Sequence, residues 1–142
     1  MAAKWSIGVA ALWLSVVSVA QTPAESSARR GEQLFVGEEP LKGAIVGHDD
    51  ALPAFASKCV NCHDPAASEK ANYGSKLTRA ALLEAAARRG GPPSRYEPGS
   101  FCRLLRTGID PAHILILRAM PRYEIDDAQC LAIWNYLILP RD

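Results

Sequence analysis

The chain has 142 residues, of which 49% are hydrophobic and 22% charged, and its formal net charge at pH 7 is +1. This length suits one globular domain and is too short for two comfortable ones. A charge so close to zero identifies no partner by itself, and we expect no nucleic acid to be bound.

The first 20 residues have the pattern of a secretory signal peptide. An apolar run extends from Trp5 to Val19, and Ser18-Val19-Ala20 supplies the small residues that a signal peptidase requires. We predict cleavage before Gln21, export to the periplasm and no integral membrane segment in the mature chain. The alternative is an uncleaved signal that tethers the protein to the membrane on its periplasmic side, although about 15 apolar residues fall short of the ~20 that span a bilayer.

Helical signals begin soon after the predicted cleavage point. Leu34-Phe35 can form the apolar edge of a first helix, which Gly37 would end. The segment 38–52 contains a proline, several glycines and a pair of aspartates, and this punctuation predicts an ordered loop. Pro53 then suits the first turn of a short helix that runs into Cys59.

Three further helices are predicted in the second half of the chain. Thr78 can cap a helix that stops at a Gly-Gly-Pro-Pro run and has on one face Leu82, Leu83, Ala86 and Ala87. Ser100 can cap a short helix over residues 101–107. Asp126 and Gln129 resemble a capping box for a last helix, whose spaced apolar residues are Cys130, Ile133, Trp134 and Leu137. No alternating pattern typical of a strand is evident, so the predicted fold class is all-α.

The strongest chemical signal is the run Cys59-Val60-Asn61-Cys62-His63. Two thiols three positions apart on a helical turn can add to the two vinyl groups of one porphyrin, which leaves His63 beneath the iron. The pattern therefore predicts one covalently bound haem c, attached at Cys59 and Cys62. A thioredoxin-like dithiol and a zinc site share the Cys-x-x-Cys spacing, but neither accounts for His63, and the chain lacks both a βαβ context and a second close Cys pair.

The residue on the other side of the iron decides whether such a haem carries electrons or binds small ligands. Met120 is the candidate, because it lies in an irregular stretch beside Pro121, where a loop can present its thioether. The alternatives are that Met120 fills the core, or that His48 or His113 takes its place as ligand. We therefore predict His63 and Met120 as the axial ligands of the iron.

Four motifs together resemble the class I c-type cytochromes, the monohaem cytochrome c family. They are Gly31-x-x-Leu34-Phe35, Cys59-x-x-Cys62-His63, Met120-Pro121 and Trp134-x-Tyr136-Leu137. The resemblance covers nearly the whole of residues 21–142 and implies a single cytochrome c domain, with several helices wrapped around one haem and with His63 and Met120 on its iron. It also implies that the first and last helices cross, through Gly31, Phe35, Trp134 and Tyr136.

Two features depart from that family. About 20 residues separate Phe35 from Cys59, where small members have only a few. Gly74-Ser75-Lys76-Leu77 resembles the family's Gly-Pro-x-Leu segment, with serine replacing the proline whose carbonyl accepts the ring N–H of the proximal histidine. The acceptor for the ring N–H of His63 is therefore left open between this segment and Pro92-Pro93.

Cys102 and Cys130 remain once the haem thiols are assigned. An even remainder in an exported protein favours a disulfide between them. The alternative is a pair of buried thiols that act as small apolar residues.

These features predict a protein that shuttles single electrons between redox partners, or that serves as the electron-accepting subunit of a dehydrogenase, rather than an enzyme in its own right. The alternative is a haem enzyme or a small-ligand sensor with an open sixth iron position. Nine basic and three acidic residues lie between Lys76 and Arg122, and this excess could dock an acidic redox partner. The residues expected to contribute are Arg103, Arg106, Arg118 and Arg122.

Overall fold

The structure, a computed structural model, describes residues 21–66 and 74–140. The predicted signal peptide at residues 1–20 lies outside these residues. Within them the chain is mostly helical, with four α-helices and two small two-stranded sheets. None of the described helices is long and apolar enough to span a bilayer. The predicted all-α class therefore identifies the dominant element but misses the strands.

In chain order the elements are α1 (Pro23–Val36), β1 (Lys42–Ala44), a 3₁₀ turn (Cys59–Asn61), α2 (Arg79–Leu83), β2 (Ala86–Ala87), β3 (Pro93–Ser94), α3 (Pro98–Thr107), β4 (Arg122–Glu124) and α4 (Asp127–Ile138). β1 pairs antiparallel with β4, and β2 pairs antiparallel with β3. Each strand has only two or three residues, which is too short for an alternating pattern to appear in the sequence.

The ends of α1 and α4 follow from their capping residues. α1 begins well before the predicted apolar edge, because the Thr22 hydroxyl accepts the N–H of Glu25 at 3.3 Å. It ends as predicted at Gly37, whose φ of 80° is left-handed. The predicted capping box of α4 is confirmed, since Asp126 accepts the N–H of Gln129 at 2.7 Å and Gln129 accepts the N–H of Asp126 at 3.2 Å.

α1 and α4 cross at a glycine. A Cβ atom on Gly31 would overlap the carbonyl oxygen of Ala132 and would lie 2.8 Å from Cβ of Tyr136. Only glycine therefore lets the two backbones approach this closely. The rings of Phe35 and Tyr136, with centroids 5.3 Å apart, pack beside the crossing.

Helix α3 packs on the opposite side of α4. The prediction of Ser100 as its N-cap is wrong, because the helix begins two residues earlier, at Pro98. Proline suits the first turn of a helix, where a backbone N–H would have no partner within the helix. The Ser100 hydroxyl instead accepts the N–H of the residue before the helix at 2.9 Å. Gly108 ends α3 with a φ of 75°. The ring of Phe101 in α3 packs against that of Trp134 in α4, with ring centroids 5.5 Å apart.

Two predicted helices are shorter in the structure than the sequence indicates. α2 has the predicted cap at Thr78, but it stops early because the carbonyl of Leu82, which a longer helix would use, accepts the N–H of Tyr96 at 2.9 Å. Residues 86 and 87 consequently form β2. The helix predicted from Pro53 is a single turn, because the buried hydroxyl of Ser57 donates to the carbonyl of Leu41 at 2.9 Å and directs the chain toward the start of β1.

Candidate functional site

The Cys59–His63 motif forms one tight turn. The N–H groups of Cys62 and His63 both donate to the carbonyl of Cys59, at 3.2 and 3.0 Å. The two thiols are not bonded to each other, and Cys59 is half-buried whereas Cys62 is exposed. The turn therefore carries two free thiols and an imidazole within five residues.

A backbone carbonyl orients the ring of His63. Its Nδ1 lies 2.7 Å from the carbonyl oxygen of Ser75. Because a carbonyl can only accept, Nδ1 carries the proton and Nε2 keeps the lone pair that a metal ion requires. Of the acceptors that the sequence left open, Ser75 is therefore the one in contact, while Pro93 lies in β3.

Gly74 allows this close contact. Its N–H donates to the carbonyl of Cys62 at 2.9 Å, and a Cβ atom at this position would lie 2.6 Å from Nδ1 of His63. The Gly74-Ser75 backbone thus packs directly against the imidazole, and Ser75 offers its carbonyl without needing a proline ring. The Gly74-x-x-Leu77 spacing is the sequence signal for this contact.

Tyr123 joins the motif to the segment that follows Met120, and nothing in the sequence singled it out. Its buried hydroxyl donates to the carbonyl of Ser57 at 2.9 Å and also contacts the thiol of Cys59. Burial raises the pKa of the Cys59 thiol to about 11, although the hydrogen bond with Tyr123 opposes that shift. A reactive dithiol needs a lowered thiol pKa, so this environment does not suit the thioredoxin-like alternative.

Met120 lies half-buried in a turn just before β4. Its N–H donates to the carbonyl of Leu117 at 3.2 Å, and its own carbonyl accepts from Nη1 of Arg122 at 2.5 Å. Met120 and Cys59 both pack against the main apolar core. Because Tyr123 follows Met120 by three residues and contacts Cys59, the structure brings the two predicted ligand-bearing segments together.

The four arginines predicted to dock a partner are all engaged within the chain. Each donates to a backbone carbonyl: Arg103 to Asp110, Arg106 to Ile125, Arg118 to Val46 and Arg122 to Met120. Arg106 and Arg118 are exposed, whereas Arg103 and Arg122 are partly buried. Burial also lowers the pKa of Arg122. These hydrogen bonds therefore stabilise the segment between α3 and α4, while the side chains also supply positive charge.

The remaining predicted residues lie in other parts of the fold. Cys102 and Cys130 are joined in a disulfide that links α3 to α4, with their Cα atoms 5.7 Å apart. His48 is exposed within the 38–52 segment. His113 is also exposed, in a turn where its φ is 62°.

The surroundings of His63 fit a haem. A cleft of about 330 Å³ opens beside His63 and is lined in part by Phe35 and Tyr136. An apolar lining beside an imidazole, together with two free thiols on the same turn, suits a haem. A zinc site fits less well, because within residues 21–66 and 74–140 no three His, Cys, Asp or Glu side chains are grouped to hold a metal ion.

No protein-family description, curated protein or solved structure matches this chain. The chemistry of the site is therefore inferred from its own residues. Those residues are two free thiols, an imidazole with its Nε2 lone pair free, and a half-buried thioether on a neighbouring segment.

Proposed function

We propose that this chain is a periplasmic, monohaem c-type cytochrome with a cytochrome c fold, and that it transfers single electrons. One haem c is attached through thioether bonds to Cys59 and Cys62, and its iron is ligated by His63 and Met120. The observation that carries the proposal is the hydrogen bond from His63 Nδ1 to the Ser75 carbonyl, next to two unpaired thiols. A histidine held in this tautomer is prepared to bind a metal through Nε2.

Each residue has a separate task in this proposal. The two thiols hold the cofactor covalently, so that it stays with the chain during repeated electron transfers. The Ser75 carbonyl fixes the plane of the His63 ring and makes the imidazole a stronger donor. When bound, the haem supplies an iron that changes between the ferric and ferrous states by one electron.

Met120 makes the protein a carrier rather than an enzyme in this proposal. A thioether on the sixth position leaves no open site for oxygen, peroxide or carbon monoxide, so that electrons pass without bond formation at the metal. Methionine ligation also favours ferrous iron and so raises the reduction potential. The hydrogen bond from Arg122 to the Met120 carbonyl supports this assignment, because it fixes the backbone that presents the thioether.

The partner is a redox protein that donates or accepts an electron, and the same chemistry serves an electron-accepting subunit of a dehydrogenase. We propose that the basic region from Lys76 to Arg122 takes part in docking. Arg106 and Arg118 are the better contributors of the four arginines, because Arg103 and Arg122 are partly buried. Docking of this kind weakens as ionic strength rises.

The test is Met120→Ala, examined in the oxidised and reduced holoprotein. The wild type should show the weak far-red absorption of a sulfur-to-iron bond and should resist carbon monoxide. Met120→Ala should lose the band, bind carbon monoxide and have a lower reduction potential. Met120→His is the matched control: it should also lose the band but still resist carbon monoxide, because nitrogen again fills the sixth position.

A different result would replace the carrier with another function. If the wild type binds carbon monoxide readily and lacks the far-red band, Met120 is not a ligand. The protein would then be a haem enzyme or a small-ligand sensor with an open sixth position.

A further inference from the structure

The segment 38–52, which lengthens the connection between α1 and the Cys59–His63 motif, is folded onto itself. Within it, the N–H of Leu52 donates to the carbonyl of Gly43 at 2.7 Å, and the N–H of His48 donates to the carbonyl of Ile45 at 3.0 Å. Ala44 and Ala51 also form an isolated β-bridge. The segment is therefore an ordered hairpin-like structure rather than a loose insertion.

This segment contacts the Met120 turn on both of its sides. On the C-terminal side, β1 pairs with β4, and a Cβ atom on Gly43 would lie 3.2 Å from Cβ of Pro121. On the N-terminal side, Nη2 of Arg118 donates to the carbonyl of Val46 at 2.9 Å. Residues on both sides of Met120, two positions before it and directly after it, thus contact the same hairpin.

A second support reaches the Met120 turn from the end of α3. The guanidinium of Arg122 lies against Gly108, where any Cβ atom would overlap it. From there Arg122 donates to the Met120 carbonyl. The turn is consequently held between the end of α3 and the 38–52 segment, and the 38–52 segment contacts both sides of it.

We infer that the 38–52 segment is a brace that keeps Met120 on the iron, with Arg118 as the positioning residue that connects the two. This inference rests on the proposed function. A thioether is a weak ligand, and the fraction of molecules in which it has left the iron sets how well an added ligand can bind. Contacts that hold the turn closed lower that fraction and therefore protect the sixth position.

The brace can be tested by imidazole binding to the ferric holoprotein. Arg118→Gln removes the bond to Val46 and should lower the apparent dissociation constant for imidazole about threefold, as expected for one exposed hydrogen bond. Arg118→Lys keeps a donor and should recover part of the loss. Arg95→Gln is the matched control, because Arg95 is exposed and its ion-pair partner is Glu97, the residue before α3, so that neither belongs to the 38–52 segment or to the Met120 turn. Its affinity for imidazole should equal that of the wild type.

A double variant separates bracing from a general change of charge. In a Met120→Ala background there is no thioether to hold, so adding Arg118→Gln should leave imidazole affinity unchanged. The inference is overturned if Arg118→Gln binds imidazole like the wild type, if Arg95→Gln tightens binding equally, or if the threefold change persists without Met120. Each of these results can be obtained while haem remains covalently attached and the far-red band is present in the wild type, so the proposed function would survive them.

Discussion

The α1–α4 crossing and the Met120 turn are held by different interactions. At the crossing, two helix backbones meet at Gly31, and the packed rings of Phe35 and Tyr136 add apolar contact. At the Met120 turn, arginine side chains bond to backbone carbonyls, and a three-residue strand provides the pairing.

This difference suggests that the crossing mainly determines the stability of the fold, whereas the Met120 turn mainly determines whether Met120 stays on the proposed haem iron. Apolar contacts and close backbone packing contribute most of the free energy of folding, so damage at the crossing should unfold the chain. Single hydrogen bonds contribute about 1 kcal/mol each, so damage at the turn should change the occupancy of the iron before it unfolds the protein. The following changes test that division.

The largest loss of stability is expected on removal of the disulfide that links α3 to α4. Changing both cysteines to alanine should lower the free energy of unfolding by about 3 to 4 kcal/mol. The disulfide closes a loop between residues 28 positions apart, and without it the unfolded chain gains conformational entropy. Denaturant unfolding measures the loss. Thiol labelling of the unfolded, unreduced wild type is the check, and two reactive thiols per chain from these positions would contradict the bridge.

Gly31→Ala should cost about 2 to 3 kcal/mol at the crossing, because the new Cβ overlaps a backbone carbonyl that cannot move without displacing α4. Gly99→Ala in α3 is the matched control. Among the described residues, no atom other than those of its chain neighbours and of the α3 backbone lies within 4 Å of the added Cβ, so its stability should be unchanged or slightly raised. Equal midpoints of thermal unfolding for the two variants would show that close packing at Gly31 does not contribute to stability.

Gly74→Ala is the same substitution made at the site. The added Cβ would lie 2.6 Å from Nδ1 of His63, so the ring should shift and its bond to Ser75 should weaken. We expect a smaller loss of stability than in Gly31→Ala, about 1 kcal/mol, and a rise in reduction potential of the order of tens of millivolts, because a less polarised imidazole stabilises ferric iron less. Redox titration measures it, and an unchanged potential with an unfolding loss like that of Gly31→Ala would contradict the division.

The smallest effect is expected at Glu39, where the chain leaves α1. Hydrogen bonding from Arg30 lowers the pKa of Glu39 below its ordinary value of 4.5, so the ionised form is favoured in the folded protein. Its contribution is therefore present above that value and is lost as the pH falls through the lowered pKa. Glu39→Gln should be less stable than the wild type by a few tenths of a kcal/mol at neutral pH, since the pair is near the surface. That difference should vanish in acid, and a difference that grows in acid would contradict the assignment.

Features that depend on near neighbours could be predicted from the sequence. The capping box of Asp126 and Gln129 spans three residues, and the glycines that end α1 and α3 adopt left-handed conformations that other residues avoid. The Cys59–His63 run is likewise local, which is why the sequence alone predicts a haem attachment site there.

Features that depend on distant partners could not be predicted. α2 ends early because Tyr96 takes the carbonyl of Leu82, and Arg118 and Val46 meet although they are 72 positions apart. The contact between Tyr123 and Cys59 has the same character. No pattern within either segment indicates such a partner, so the contacts that hold the Met120 turn cannot be predicted from the sequence.

The central claim is the covalent haem, and the most direct measurement is the mass of the denatured mature protein. After treatment with acid and organic solvent, which releases coordinated haem, the polypeptide should retain the added mass of one haem, and Cys59→Ala/Cys62→Ala should lack it. Haem that is fully extracted from the wild type, or a polypeptide without added mass from cells that attach haem to other proteins, would contradict the claim.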